Sequence, residues 1–283
     1  MSILEMSNHN RPEQPVGVFD SGIGGLTVVR AIKDLLPKED LFYLGDTARL
    51  PYGNKDRLTI ERYSLEIAGL LAAEGAKLIV VACNTASALA LPRLHEVFRI
   101  PIIGVIESCA RAAVAQSQKR RIGIIGTRAT IASGAYERAI QAIDPGIAVL
   151  SQPCPLLVPL IEEGMFDHSV TIEMLHHYLD PLIAERIDTL VLGCTHYPLL
   201  KKTISDMIGE DIVLVDSAEN CAAQVLEVLR ETRLENRAER PGNLEVALTD
   251  SSNPFFKTAD RVLELNISRV QTRIVQGVTM AAI

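Results

Sequence analysis

The sequence predicts an α/β protein built from two similar parallel-sheet domains, with a site in the cleft between them. Short apolar runs alternate with segments of helical periodicity, which is the pattern that right-handed βαβ units leave in a sequence. The alternation restarts near residue 121. A cysteine-centred motif at residues 78–87 is echoed at residues 190–199, about one domain length later. Together these observations indicate a duplicated domain.

The first half of the chain predicts four strands separated by three helices. The predicted strands cover residues 16–19, 40–44, 78–82 and 102–105, and the predicted helices cover 26–36, 56–74 and 86–97. The strands are apolar runs without alternation, which is typical of parallel strands buried on both faces. The longest helix carries Leu58, Tyr63, Ile67 and Leu70 at helical spacing, so we expect it to cover the sheet.

The second half repeats the alternation and then adds a C-terminal segment. The predicted strands cover residues 121–125, 148–150, 189–192 and 213–215, and the predicted helices cover 131–143, 171–183 and 217–233. Residues 232–242 are charged and rich in turn formers, so they predict a surface loop. A strand at 244–249 and a last helix at 255–265, capped by residues 250–254, follow.

Composition narrows the class of protein. The chain has 283 residues, a net charge of −7 and no Trp, and no basic run is longer than residues 119–121. An acidic chain of this kind is not expected to bind nucleic acid or an anionic membrane. It shows neither a membrane span nor the apolar core of a signal peptide, so we expect a cytoplasmic protein. Five widely spaced cysteines without a CxxC pair predict neither a disulfide framework nor a metal site.

Cys83 and Cys194 are the strongest candidates for chemistry. Each follows an apolar strand and precedes polar residues, whereas a packing cysteine would be followed by apolar ones. Ligands of open α/β sheets bind beyond the carboxyl ends of the strands. A cysteine that opens a helix there is expected to have its thiolate favoured by the helix N-terminus. By contrast, Cys109, Cys154 and Cys221 show no such polar signature and are interpreted as packing residues.

Two thiols on opposite sides of a cleft suit one class of reaction. Inversion at an α-carbon removes a proton from one face and returns a proton to the other. One base cannot easily reach both faces, whereas a thiolate and a thiol can exchange roles with the direction of the reaction. The sequence therefore points to a two-base racemisation.

Other motifs provide polar groups near these cysteines. Residues 20–25 follow the first strand and contain several glycines. Their spacing is not GxGxxG, which disfavours a dinucleotide site. The two remaining interpretations are a simple turn and a site that binds a carboxylate. Residues 46–53 form a turn cluster that is equally compatible with a loop or a site. His196 can act as a proton relay for Cys194. Residues 159–164 place two carboxylates in a predicted loop.

These motifs together resemble the glutamate racemase family, within the cofactor-independent amino-acid racemases. The matching stretches are GVFDSGIGGLTV (17–28), YLGDTARLPYGNK (43–55), VVACNTASA (80–88), VPLIEEG (158–164), LVLGCTHYPLL (190–200) and TDSSNPFFKTADRVL (249–263). The resemblance spans nearly the whole chain after residue 15, in the order and spacing of the family. It implies interconversion of L- and D-glutamate, supplying D-glutamate for peptidoglycan, without pyridoxal phosphate or metal.

The resemblance also implies roles for individual residues. Cys83 and Cys194 are similar to the two acid/base residues, which act on the D-glutamate and L-glutamate faces respectively. Asp20 and His196 are similar to auxiliary residues of the first and second thiol. Glu162 matches a carboxylate near the second thiol, although Glu163 beside it leaves the register open. The residues similar to the family's substrate-binding pairs are Asp20, Ser21, Tyr52, Gly53, Asn84, Thr85, Thr195 and His196.

The same resemblance implies an organisation for the chain. Residues 1–106 and 217–283 are expected to form the first domain, because the C-terminal segment of the family returns to it. Residues 107–216 form the second domain. A homodimer is expected, and some family members are activated by a UDP-linked muramoyl-alanine precursor. The alternatives are an aspartate or hydantoin racemase and a non-catalytic small-molecule or nucleotide-binding protein, which would tolerate Ser at both cysteines.

Overall fold

The strands of the chain form two all-parallel sheets in the computed structural model, which describes residues 11–250, 252, 255–267 and 269–275. The first sheet contains β1 (Val16–Asp20), β2 (Leu41–Gly45), β3 (Leu78–Val81), β4 (Ile102–Gly104), β9 (Leu244–Leu248) and β10 (Val270–Thr272). The second sheet contains β5 (Arg121–Gly126), β6 (Ala148–Pro153), β7 (Thr189–Gly193) and β8 (Val213–Asp216).

Helices connect successive strands, as right-handed crossovers require. They are α1 (Leu26–Leu35), α2 (Arg57–Ala73), α3 (Asn84–Leu89), α4 (Leu91–Val97), α5 (Ile106–Gln116), α6 (Arg128–Ala132), α7 (Ala135–Ile143), α8 (Leu157–Glu162), α9 (Ser169–Ala184), α10 (Lys201–Ile208), α11 (Ser217–Glu231) and α12 (Phe255–Leu263). None of these described helices is long and apolar enough to cross a membrane.

The strand order of the two sheets confirms the predicted duplication. The first sheet has the order β10-β9-β2-β1-β3-β4, and the second has the order β6-β5-β7-β8. Within each sheet the second strand of the unit lies beside the first, and the third and fourth follow on the other side. The order therefore reverses beside β1 in one sheet and beside β5 in the other, and such switch points open a crevice at the carboxyl edge.

The C-terminal segment extends the first sheet. β9 pairs with β2 in parallel, and β10 pairs with β9. α5 leads from the first sheet to the second, and α11 leads back and packs against both α1 and α5. Strands before residue 106 and after residue 217 thus share one sheet, and the domain boundaries at these residues stay a prediction.

The core strands are buried because helices pack against the sheets. Every residue of β1, β2, β3 and β7 is buried. This explains why these segments are continuously apolar in the sequence rather than alternating. α1 shows the complementary pattern, with Leu26, Val29 and Ile32 buried and charged residues toward solvent.

Two helices predicted as continuous are each broken in two. The helix predicted at 86–97 begins two residues earlier and breaks at Ala90, with Pro92 in the first turn of the next helix, where its missing N–H costs no bond. The helix predicted at 131–143 begins at Arg128 and breaks at Gly134, whose φ of +63° is left-handed.

Other elements were not predicted from periodicity. They are α5, α8, α10 and β10, and each is short or lies in a segment with mixed apolar spacing. The loop predicted around Glu162 is wrong, because α8 ends at this residue. The predicted cap of the last helix falls on residues 250–254, of which 251, 253 and 254 lie outside the described residues.

A buried ion pair fastens the amino-terminal edge of the first sheet. Lys77, which precedes β3, is fully buried and donates to Glu39 Oε2 at 2.6 Å and to the carbonyl of Pro12. Glu39 Oε1 accepts the backbone N–H of Asn236 at 2.6 Å. The pair therefore ties the chain entering β1, the residues before β2 and the loop before β9 at the edge opposite the carboxyl ends of the strands.

We expect Lys77→Met to lower the free energy of unfolding by about 3 to 5 kcal/mol, because it leaves the buried Glu39 carboxylate without its charge partner. Urea unfolding monitored by circular dichroism measures the change. The control is Arg93→Met, which breaks the exposed Arg93–Glu96 pair and is expected to change stability by less than about 1 kcal/mol. Equal effects of the two variants would contradict the assignment of Lys77 as a structural fastener.

Candidate active site

A cavity of about 290 Å³ lies between the carboxyl ends of the two sheets. Loops that follow β1, β2 and β3 line one side, and loops that follow β5, β6 and β7 line the other. All but one of the site residues predicted from sequence contribute to the lining, namely Ser21, Tyr52, Gly53, Cys83, Asn84, Thr85, Glu162, Cys194, Thr195 and His196. The exception, Asp20, lies beside the cavity.

Cys83 follows β3 and caps the first turn of α3. Its thiol is protonated at neutral pH, because burial and the negative charge of Asp20 raise its pKa to about 12. Hydrogen bonds from the backbone of Ala86 and from Ser21 act in the opposite direction but are weaker. The first turn of α3 therefore favours the Cys83 thiolate, as expected from sequence, but desolvation and Asp20 outweigh it.

Cys194 occupies the corresponding place after β7 and has a different environment. Its sulfur lies 3.9 Å from Nδ1 of His196. The other ring nitrogen of His196, Nε2, lies 3.1 Å from Oε1 of Glu162. Burial alone would lower the pKa of His196, but its hydrogen bonds with Cys194 and Glu162 prevail and raise that pKa to about 10. The imidazole is thus held as a cation between a sulfur and a carboxylate.

The carboxylate of Asp20 joins the two halves of the site. It is fully buried, accepts the N–H of Gly22 at 3.0 Å through Oδ2, and accepts the hydroxyl of Thr195 at 3.3 Å through Oδ1. Its charge also raises the pKa of Cys83, after the larger effect of burial. Asp20 therefore contacts the second domain's Thr195 while it acts electrostatically on the thiol of the first.

Tyr52 lines the cavity, but its hydroxyl is directed elsewhere. The phenol donates to Oδ2 of the fully buried Asp46, and the same oxygen accepts Nε of Arg49 at 2.7 Å. The other oxygen of Asp46 accepts the hydroxyl of Thr249 at 3.0 Å. The segment at 46–53, which the sequence left open between loop and site, is thus a loop held by a buried carboxylate that presents Tyr52 and Gly53 to the cavity.

Asn84 and Thr85 contact the second domain from the first turn of α3. The hydroxyl of Thr85 lies 3.0 Å from that of Thr127 and 3.1 Å from that of Thr130. The carboxamide of Asn84 accepts the phenol of Tyr136 at 2.6 Å. Both predicted binding residues therefore bridge the cleft.

Several lining residues were not predicted as part of the site. Thr127 and Arg128 follow β5, Cys154 follows β6, and Glu163 follows Glu162. Cys154 was interpreted as a packing residue; it is fully buried, as expected, but it also borders the cavity. The carboxyl-edge rule would have pointed to Thr127, because it lies two residues after the end of a predicted strand.

Gly24 is required by a close approach across the cleft. A Cβ added there would lie 2.5 Å from Nδ1 of His196 and 2.6 Å from the hydroxyl oxygen of Thr195. The nearby hydroxyl of Thr27 also donates to the carbonyl of Thr195 at 3.2 Å. The glycine-rich turn after β1 therefore packs directly against the loop that carries Thr195 and His196.

The sequence is similar to that of known amino-acid racemases. The family model described as Asp/Glu/Hydantoin racemase matches residues 20–225. The chain belongs to this family. The glutamate racemase of Geobacter metallireducens is 49% identical over 252 residues, which are 89% of this chain and 93% of that protein. These matches confirm the resemblance inferred from the motifs and the prediction of an isomerase.

Solved structures show the same two-domain fold. The glutamate racemase of Francisella tularensis, in complex with D-glutamate, is 34% identical with a TM-score of 0.88, covering 94% of this chain and all of that one. The Escherichia coli enzyme, in complex with L-glutamate and the activator UDP-MurNAc-Ala, is 28% identical with a TM-score of 0.76, covering 93% of this chain and all of that one. The predicted fold class is thus confirmed.

We expect Gly24→Ala to lower kcat/KM for racemisation by about 100-fold, because the methyl group displaces the His196 ring from the cleft. Circular dichroism of L-glutamate solutions measures turnover. Gly22→Ala in the same turn is the matched control, since its added methyl meets only Leu50 at 3.6 Å, an ordinary contact. A similar loss in both variants would mean that the turn, rather than the approach of His196, limits activity.

We expect Glu162→Gln to lower the pKa of His196, whereas Glu163→Gln leaves it unchanged, because Oε1 of Glu162 lies 3.1 Å from Nε2 of the ring. NMR titration of labelled histidine measures both. Since this pKa of about 10 exceeds that of a free histidine, about 6.5, protonation of His196 stabilises the fold. That contribution is complete below about pH 6.5 and is lost as pH rises through 10. A shift caused by Glu163→Gln would contradict the register.

Proposed function

We propose that this chain interconverts L- and D-glutamate by two-base proton transfer, with Cys83 and Cys194 as the two acid/base residues. The observation that carries the proposal is a single cavity bordered by two thiols, one from the third strand of each sheet. Membership in the racemase family and near 50% identity to a glutamate racemase support glutamate as the substrate.

The reaction from L-glutamate begins at Cys194. The imidazolium of His196 stabilises the Cys194 thiolate, which removes the α-proton, so that the C–H bond breaks and an S–H bond forms. The electron pair left on the α-carbon spreads into the carboxylate. Glu162 keeps His196 charged and oriented, as the third member of a relay.

Cys83 completes the inversion. Its protonated thiol delivers a proton to the opposite face of the carbanion and becomes a thiolate. In the reverse direction this thiolate removes the proton from D-glutamate, and it is a strong base because burial and Asp20 raise the pKa of Cys83 to about 12. The two thiols thus differ in how their charged forms are stabilised, and each matches one direction of the reaction.

The carbanion needs stabilisation by hydrogen bonds. The backbone N–H groups of Asn84 and Thr85, in the first turn of α3, have no partner within the helix and can donate to a carboxylate. Ser21, Gly53 and Thr195 place further donors around the cavity. We propose that these groups hold the two carboxylates of glutamate, while domain closure excludes water.

We propose that the reaction uses neither pyridoxal phosphate nor a metal ion. The described residues that line the cavity include no lysine that could form an imine with a cofactor. A response to the muramoyl-alanine precursor, a homodimer and a cytoplasmic location stay predictions for this chain. In the cell the product serves peptidoglycan synthesis, in keeping with the activator bound to the Escherichia coli enzyme.

We expect Cys83→Ala and Cys194→Ala each to slow racemisation by about 100-fold or more, the contribution typical of a positioned acid or base. In deuterated water, α-proton exchange should persist only for L-glutamate in Cys83→Ala and only for D-glutamate in Cys194→Ala, because each variant keeps one base. Circular dichroism and proton NMR measure these rates.

The matched control for this experiment is Cys221→Ala. This cysteine is equally buried but lies in α11, outside the cavity lining, so its variant should racemise glutamate as the parent does. Exchange of both enantiomers by Cys83→Ala would contradict the assignment of one thiol to each face. Turnover of aspartate instead of glutamate would favour the alternative substrate within the family.

A further inference from the structure

The carboxamide of Asn84 is held by a tyrosine of the opposite domain. Tyr136, in α7, donates its phenol to Oδ1 of Asn84 at 2.6 Å. Nδ2 of Asn84 donates to the hydroxyl of Ser217, at the start of α11, at 3.3 Å. Tyr136, Asn84 and Ser217 are all buried. Of these residues only Asn84 borders the cavity.

The direction of these hydrogen bonds decides what Asn84 offers to a substrate. Oxygen and nitrogen of a carboxamide have nearly the same shape, so partners alone determine which one faces the cavity. Ser217 does not determine the orientation of the carboxamide, because a hydroxyl donates or accepts equally well. Tyr136 does determine it, because the proton of a buried phenol requires a good acceptor.

A second neighbour strengthens the preference of the phenol. The thiol of Cys109 also interacts with the hydroxyl of Tyr136, and burial raises the pKa of Cys109 to about 12, so this thiol keeps its proton. If Nδ2 of Asn84 faced the phenol, the acceptor left to the phenol among the described residues would be the sulfur of Cys109, and sulfur accepts weakly. The arrangement therefore favours Oδ1 toward Tyr136.

We propose that Tyr136 is a positioning residue, which fixes the carboxamide of Asn84 so that its free N–H is available to a substrate carboxylate. Nδ2 carries two protons, of which Ser217 takes one, and the other makes no hydrogen bond within the described residues. This inference rests on the proposed function, because it requires a carboxylate substrate in the cavity. It adds that recognition of the anion depends on a side chain from the second domain.

The proposal predicts a change in binding and selectivity. In Tyr136→Phe the ring still fills its place, but Asn84 is free to turn and present its oxygen. We expect KM for D-glutamate to rise about tenfold, which corresponds to the loss of one hydrogen bond to a charged group. We expect kcat to change less than about threefold. A flipped carboxamide presents an oxygen that can accept a hydrogen bond from an amide N–H. The affinity of the competitive inhibitors D-glutamine and D-isoglutamine should therefore increase at least about fivefold relative to that of glutamate.

A double-mutant cycle separates positioning from general damage. In an Asn84→Ala background, Tyr136→Phe should change KM less than about twofold, because the side chain through which it acts is gone. Tyr178→Phe, at another buried tyrosine that does not border the cavity, is the matched control. The same loss in both backgrounds, or unchanged selectivity toward both amides, overturns the proposal. Glutamate turnover by the unmodified enzyme tests the proposed function separately.

A measurement on the unmodified enzyme does not depend on how the variants fold. In a spectrum of the chain labelled with ¹⁵N at asparagine, saturating D-glutamate should shift the free Nδ2 proton of Asn84 downfield, because it gains a charged acceptor. Resonances of Asn84 that stay unchanged while D-glutamate is bound would overturn the inference.

Discussion

The site depends on one constraint, the parallel pairing of strands in the same order within two sheets. Parallel strands place all their carboxyl ends on one edge, and the order second-first-third-fourth opens a crevice between the first and third strands. A cysteine follows the third strand of each sheet: Cys83 lies two residues after β3, and Cys194 directly follows β7. The carboxyl edges of the two sheets face the same cavity, so the two thiols border that cavity from opposite domains. The proposed proton transfer from two sides makes use of this symmetry.

The symmetry of the backbone is broken by the electrostatics of the side chains. Cys83 lies near a buried carboxylate, Asp20, which disfavours its thiolate, whereas Cys194 contacts a cationic histidine held by Glu162. The two thiols thus have neighbours of opposite charge, which the proposed mechanism uses to place an acid on one side of the substrate and a base on the other. A racemase needs both protonation states at once, and unequal neighbours provide them without an external cofactor in the proposed mechanism.

Contacts across the cleft connect binding to closure. Gly24 supports the His196 ring, Gly53 lies against Thr127, and Thr85 contacts the threonines that follow β5. A side chain at either glycine would clash with the second domain, at 2.5 Å and 2.6 Å respectively. These glycines are needed for close approach rather than for unusual backbone angles. The same surfaces that bring the domains together also surround the cavity, so alignment of the thiols and exclusion of water occur together.

Much of this architecture could be predicted from the sequence. The apolar runs ending at Asp20, Cys83 and Cys194 indicated parallel strands with polar carboxyl ends, since local periodicity follows directly from burial on both faces. Helix breaks at Ala90 and Gly134 were not predicted, because they depend on single residues within otherwise helical patterns. The helix that ends at Glu162 was missed because its six residues are too few to show a helical period.

What the sequence by itself determined was the fold class, the duplication and the candidate residues for chemistry, because these follow from patterns along the chain. Only the tertiary structure decided which groups act on one another. It selected Glu162 over Glu163 as the partner of His196, raised the pKa of Cys83 against the helix, and brought Tyr136 to Asn84. Desolvation and contacts between distant residues exist only once the chain is folded, and no local pattern encodes them.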